Sequence, residues 1–145
     1  MIKIICLGKI KEKYLNDLIN DYKQRISKYQ KIELIELKDT NNLDEEKENI
    51  KKHLNKNEYL IALDIEGKEM DSLEFAKTID SVFINYPTIT FVIGSSFGLH
   101  EEIKKEANLR LSFSQMTYPH GLFRGILLEQ IYRAFKILNN ENYHK

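Results

Sequence analysis

The chain has 145 residues, of which 22 are lysine or arginine and 22 aspartate or glutamate, so its formal charge is zero. With 42% hydrophobic and 30% charged side chains it can bury the core of one domain, which excludes disorder, and no apolar run approaches the roughly 18 residues of a membrane span. Its one cysteine, Cys6, cannot form an internal disulfide and Met1–Gly8 is too short for a secretory leader, so a reducing, cytoplasmic setting is expected.

Strand-like and helix-like segments alternate from end to end. Ile2–Leu7 is apolar and β-branched and closes on Gly8. Residues 13–29 place Tyr14, Leu15, Leu18, Ile19, Tyr22, Ile26 and Tyr29 at helical spacing. Ile32–Leu37 reads as a strand, broken by the Asn-rich residues 39–42, and residues 43–53 as a charged, solvated helix. Residues 59–65 predict a buried strand ending in a Glu66-Gly67-Lys68 turn. Ser72 is placed to cap a helix running to about Asn85, after which Pro87 returns the chain to an extended form. Thr88–Ile93 is a continuous run of β-formers, the pattern of a strand buried on both faces. A short helix over residues 100–107, a short strand over 109–113 and a long helix over 119–139, with Pro119 in its first turn, complete the chain.

This alternation predicts a single α/β domain, residues 1–145, with an open, largely parallel sheet. Such sheets take ligands in loops at the carboxyl ends of their strands, here after Ile65, Ile93 and Phe113. The loop Gly94-Ser95-Ser96-Phe97-Gly98 offers glycines and hydroxyls, but its spacing is neither a dinucleotide fingerprint nor a Walker loop. A tight turn with a serine cap accounts for it equally well. His120 stands at a helix start, where a neutral structural role competes with ligand binding. No second ligand stands at metal spacing and no nucleophile has a partnered base, so neither a metal site nor a covalent hydrolase is expected. In the last helix Glu129 and Arg133 are placed to pair, whereas Arg124 lies about 140° around the wheel, beside Leu127, Leu128 and Ile131. An arginine on that side requires a buried carboxylate, another subunit or a ligand phosphate.

Zero net charge at first argues against a nucleic-acid partner. However, residues 104–145 hold seven basic and three acidic side chains, a formal +4, against −4 for the remainder. An ordinary uneven surface accounts for this, as does a local RNA contact.

Five segments in order carry a resemblance: Leu63-Asp64-Ile65-Glu66-Gly67-Lys68; Val92-Ile93-Gly94-Ser95-Ser96-Phe97-Gly98; Leu111-Ser112-Phe113-Ser114-Gln115-Met116-Thr117-Tyr118-Pro119-His120; Glu129-Gln130-Ile131-Tyr132-Arg133-Ala134; and the terminal Tyr143-His144-Lys145. Over its whole length the chain resembles the SPOUT-class methyltransferases that modify N3 of a pseudouridine in 23S rRNA. The resemblance implies a C-terminal trefoil knot over about residues 88–145, a homodimer, S-adenosylmethionine as cofactor and the 70S ribosome or its large subunit as partner. It places the cofactor against Leu63, Gly94, Phe113, Ser114, Gln115, Met116, Thr117 and Tyr118. It leaves His120, Arg124, Arg133, Tyr143, His144 and Lys145 to handle substrate and proton, with one subunit's tail reaching the other's pocket. Two positions depart from the family, Ser95 where a second glycine is usual and Lys145 where an arginine is common. A tRNA or ribose methyltransferase of the same class, and a non-catalytic ribosome-binding dimer, are the rival readings.

Overall fold

A computed structural model describes residues 1–145. Five strands, β1 (Ile2–Leu7), β2 (Ile32–Leu37), β3 (Glu58–Glu69), β4 (Thr88–Ile93) and β5 (Leu109–Ser112), form one parallel sheet in the order β2-β1-β4-β3-β5. The helices are α1 (Lys13–Ser27), α2 (Leu43–Lys51), α3 (Ser72–Asn85), α4 (Glu101–Glu106) and α5 (His120–Leu138).

All six residues of β1 and of β4 are buried, which is why β4 is an uninterrupted run of β-formers and β1 is one broken only by Lys3. Alternate side chains divide two cores between the faces. Ile2, Ile4, Ile61, Ile89 and Phe91 pack with Ile19 of α1, Ile79 of α3 and Leu128 and Ile131 of α5. On the other face Ile5, Leu7, Leu60 and Val92 meet Ile50 of α2 and Ile103 of α4. Each fully buried isoleucine or phenylalanine contributes about 1.5–3 kcal/mol. Gly125 lets α5 lie close on α1, since a Cβ there would stand 2.7 Å from Leu18 Cδ2. The buried Lys3 is neutralised by Glu58 at 2.5 Å.

Two expectations are corrected. Glu66-Gly67-Lys68 is not a turn ending the third strand, because β3 continues to Glu69. Both Leu63 and Lys68 pair with Leu111, so the intervening four residues bulge out of the ladder. Gly67 permits this, since a Cβ would lie 2.6 Å from the Arg110 carbonyl. The cap of α3 is Asp71, whose side chain accepts the Glu74 amide, with Ser72 one position inside. No helix is long and apolar enough to cross a membrane.

Because the sheet is parallel, its carboxyl-terminal strand ends lie along one edge. β1 leads through α1 to β2 on one side, while β4 leads through α4 to β5 on the other. The chain therefore changes direction between β1 and β4, beside the loops described next.

Candidate functional site

The segments following β4 and β5 converge with the β3 bulge on a cleft of about 550 Å³. Leu63, Gly94, Phe113, Ser114, Met116, Thr117 and Tyr118 all line it, as does His120. Gln115 does not; its amide donates outward to the Ile65 carbonyl at 3.1 Å and to Glu69 Oε1 at 3.2 Å, holding the loop to β3.

The Gly94 loop is built on backbone contact. A Cβ on Gly94 would stand 2.4 Å from the Gly98 carbonyl oxygen, so only glycine fits, and Gly98 itself takes the left-handed φ of +81°. Gly98 N–H donates to the Ser95 carbonyl at 2.8 Å and closes the loop. Opposite, Ser112 Oγ donates to the Ser114 carbonyl and the Met116 amide to Ser114 Oγ, while the amides of Thr117 and Tyr118 donate to no atom of the chain. Aromatic rings back this wall: Phe113 meets Phe123 edge-on at 5.2 Å, and Tyr118 stacks on Phe123 at 5.7 Å. Phe97 and Met116, 60% and 76% exposed, form an apolar rim.

Asp64 and Lys104 belong to the cleft, and neither was singled out in the sequence. Burial pushes the Asp64 carboxyl up, but the Arg110 guanidinium, the Glu66 amide and Lys104 outweigh it and hold the group below its ordinary range. Arg110 donates to Asp64 Oδ2 at 2.9 and 2.5 Å. That partnership spans 46 residues and becomes visible only once β3 and β5 are paired.

His120 lines the cleft from the first turn of α5. Burial, and then the Arg124 charge, depress its pKa, so the ring is neutral near pH 7. Its Nε2 accepts from Arg124 at 3.2 Å, which leaves the proton on Nδ1 and no lone pair to receive another. Arg124 itself is fully buried and off the cleft. It donates to Glu36 Oε2 at 2.6 Å and the Gly8 carbonyl at 3.1 Å, and its Nε has no partner. Of the three partners open in the sequence, the structure supplies a carboxylate, although one that reaches solvent rather than a buried one.

Arg133, Tyr143 and His144 gather at the far end of α5. Tyr143 donates to Glu129 Oε1 at 3.0 Å, packs edge-on against Tyr132 at 4.9 Å, and carries the Arg133 guanidinium 4.8 Å above its ring. Arg133 bonds Glu129 at 2.5 Å and donates to His144 Nδ1 at 3.2 Å. Burial first, then the bonds to Tyr22 and Glu129, raise the Tyr143 hydroxyl far above its ordinary range. The tail is thus anchored, with only Lys145 outside the cluster. His144 opens on a second cavity, about 420 Å³, which shares Phe113 and Tyr118 with the cleft.

The +4 C-terminal third is not a free basic surface. Five of its seven cations, Lys104, Arg110, Arg124, Arg133 and Lys136, face carboxylates. Exposed lysines at the cleft end of the sheet come instead from Lys9, Lys11 and Lys38, after β1 and β2. No group of three or more His, Cys, Asp or Glu is arranged to hold a metal ion.

The family described as "Predicted SPOUT methyltransferase" matches residues 1–144. A protein of Acholeplasma laidlawii named ribosomal RNA large subunit methyltransferase H is 48% identical over 145 residues, covering 99% of each chain. Its namesake in Caldicellulosiruptor saccharolyticus is 44% identical over 154 residues, covering all of both chains. Among solved structures, a "probable methylase family protein" from Haemophilus influenzae superposes with a TM-score of 0.60 at 14% identity, over 99% of this chain and 70% of that one. The SpoU methyltransferase AviRb of Streptomyces viridochromogenes gives 0.51 at 10% identity, over 98% and 62%. At these identities the two structures support the fold alone.

Proposed function

The chain belongs to the SPOUT methyltransferase family, and from that premise we propose that it methylates N3 of a pseudouridine in the 23S rRNA of the assembled ribosome, with S-adenosylmethionine as donor. The observation that carries this reading is the single cleft made by the loops after β3, β4 and β5, lined by seven of the eight positions expected from the family. Its chemistry suits a nucleoside with a sulfonium chain. Gly94 brings backbone close, Leu63 and Phe113 give apolar walls, and the free amides of Thr117 and Tyr118 offer donors to a ring edge. The cofactor supplies an electrophilic methyl group when bound.

The chain's task is to align two reactants for an in-line displacement at nitrogen. The N3 proton of the base is more acidic than an alcohol's, so no strong protein base is needed. His120, with its lone pair held by Arg124, orients rather than accepts. Arg133, Tyr143 and His144 form a preassembled substrate-side group with Lys145 beyond it, and Lys9, Lys11 and Lys38 contact phosphates. We further infer a homodimer in which the tail of one protomer completes its partner's pocket. The exposed apolar side chains Phe97, Met116, Tyr118 and Leu122 around the cleft support it. A knot over residues 88–145 is the corresponding chain path, supported by the close meeting of the two loops that follow β4 and β5.

The test uses ribosomes from a strain lacking the gene. Incubation with the protein and labelled S-adenosylmethionine, followed by mass spectrometry of the rRNA, should place one methyl on a 23S pseudouridine. Methyl found on tRNA or on a ribose hydroxyl, or equal methylation of naked rRNA, would overturn the reading.

A further inference from the structure

Glu46 is a buried carboxylate with no cationic partner and no part in the chemistry proposed above. It is 1% exposed, in the first turn of α2, and no lysine, arginine or histidine pairs with it. An isolated carboxylate this deep is costly unless neutral donors and helix-end amides offset it. Its two oxygens are divided between two loops. Oε2 accepts the Thr40 amide at 3.1 Å, fixing the turn between β2 and α2. Oε1 accepts Ser95 Oγ at 3.1 Å, in a bond buried on both sides.

Ser95 is the position where this chain departs from the glycine usual in its family. Its hydroxyl donates to Glu46 while accepting the Phe97 amide at 3.3 Å, and its carbonyl accepts Gly98 N–H. The Phe97 amide therefore hangs on a hydroxyl whose direction is set by Glu46, beside the backbone bond that closes the loop. With glycine at this position the same loop would have only its backbone contacts to define it.

We propose that Glu46 is a positioning residue for the cofactor loop: through Ser95 Oγ it holds residues 95–98 in the shape that admits the nucleoside of S-adenosylmethionine. This rests on the cofactor reading above. A hydroxyl-to-carboxylate bond in a buried setting sharpens one loop conformation over its alternatives, so the ordering cost is met before the ligand arrives. Glu46→Gln keeps one acceptor oxygen, which Thr40 N–H occupies, and turns an N–H donor toward Ser95 Oγ, so the hydroxyl-to-carboxylate bond is lost and any bond that replaces it runs in the opposite direction. Ser95→Ala removes the hydroxyl.

Calorimetry of S-adenosylhomocysteine on the full chain tests this. Each variant should weaken binding about tenfold, and the double variant also about tenfold rather than a hundredfold, because both delete one bond. Unfolding midpoints measured in parallel separate the roles. Variants that lower the midpoint yet bind like wild type, or an additive double variant, overturn the proposal. If Glu46→Gln does not fold, Ser95→Ala alone decides, with unchanged affinity overturning the proposal. Failure of the wild type to bind S-adenosylhomocysteine overturns the cofactor reading itself.

Discussion

The Arg124–Glu36 pair makes a prediction about asymmetry. Arg124 is fully buried, whereas the Glu36 side chain keeps 38% of its surface in water. Replacing the arginine with methionine leaves Glu36 free to rehydrate. The loss is then confined to the Gly8 carbonyl and His120 Nε2, which held bonds of 3.1 and 3.2 Å. Two orphaned neutral acceptors, partly offset by the relief of burying a cation, should cost about 1–3 kcal/mol. Glu36→Ala does the reverse, stranding a guanidinium whose Nε already lacks a partner, at about 3–5 kcal/mol. Water entering the gap moves this toward the lower figure. The double variant should resemble Arg124→Met alone, since no stranded cation remains. Urea unfolding of the four proteins at neutral pH measures all three differences. An Arg124→Met variant less stable than Glu36→Ala, or an additive double, would refute the reasoning.

Other consequences can be read in simpler assays. The folded pKa of His120 lies below its ordinary 6.5, so on acidification the unfolded chain takes the proton first. Its contribution to stability is complete above pH 6.5 and disappears as pH falls through the folded value. The stability difference between wild type and His120→Asn should therefore shrink from about pH 8 to about pH 5; a pH-independent difference contradicts the assignment. Gly94→Ala should abolish S-adenosylhomocysteine binding, because its Cβ meets Gly98 backbone at 2.4 Å. Gly98→Ala meets nothing within 4 Å and should cost about 1–2 kcal/mol of stability for its left-handed φ, with binding near wild type. Deleting residues 143–145 removes no cleft residue and should spare cofactor affinity while ending methylation; an active truncation removes the tail from the mechanism.

The apolar runs made the sheet legible. Thr88–Ile93 reads as a doubly buried strand and all six residues are buried, since a central parallel strand tolerates such a run; Ile2–Leu7, read only as an apolar strand, proves to be buried throughout as well. The wheel position of Arg124 indicated an inward cation but could not identify Glu36, 88 residues earlier. Glu66-Gly67-Lys68 reads as a turn because glycine between charges is a turn pattern. Whether it turns or bulges depends on Arg110, a partner supplied by folding. Charge counted along the chain misled in the same way. Five of the seven cations of the last third face carboxylates, and Lys9, Lys11 and Lys38, from the acidic portion, stand at the cleft's end of the sheet.

The β3 bulge also determines how the sheet ends. β5 is an edge strand of only four residues, and the ladder beside it is displaced by residues 64–67. The opposite edge, β2, exposes Glu33 and Glu36 and is flanked by exposed Lys31 and Lys38. Short, irregular or charged borders make poor templates for a further strand. Neither edge therefore invites strand addition, and the sheet stays at five strands. The homodimer proposed above would accordingly be built through helices or through the apolar rim around the cleft, not by extending one sheet into the next.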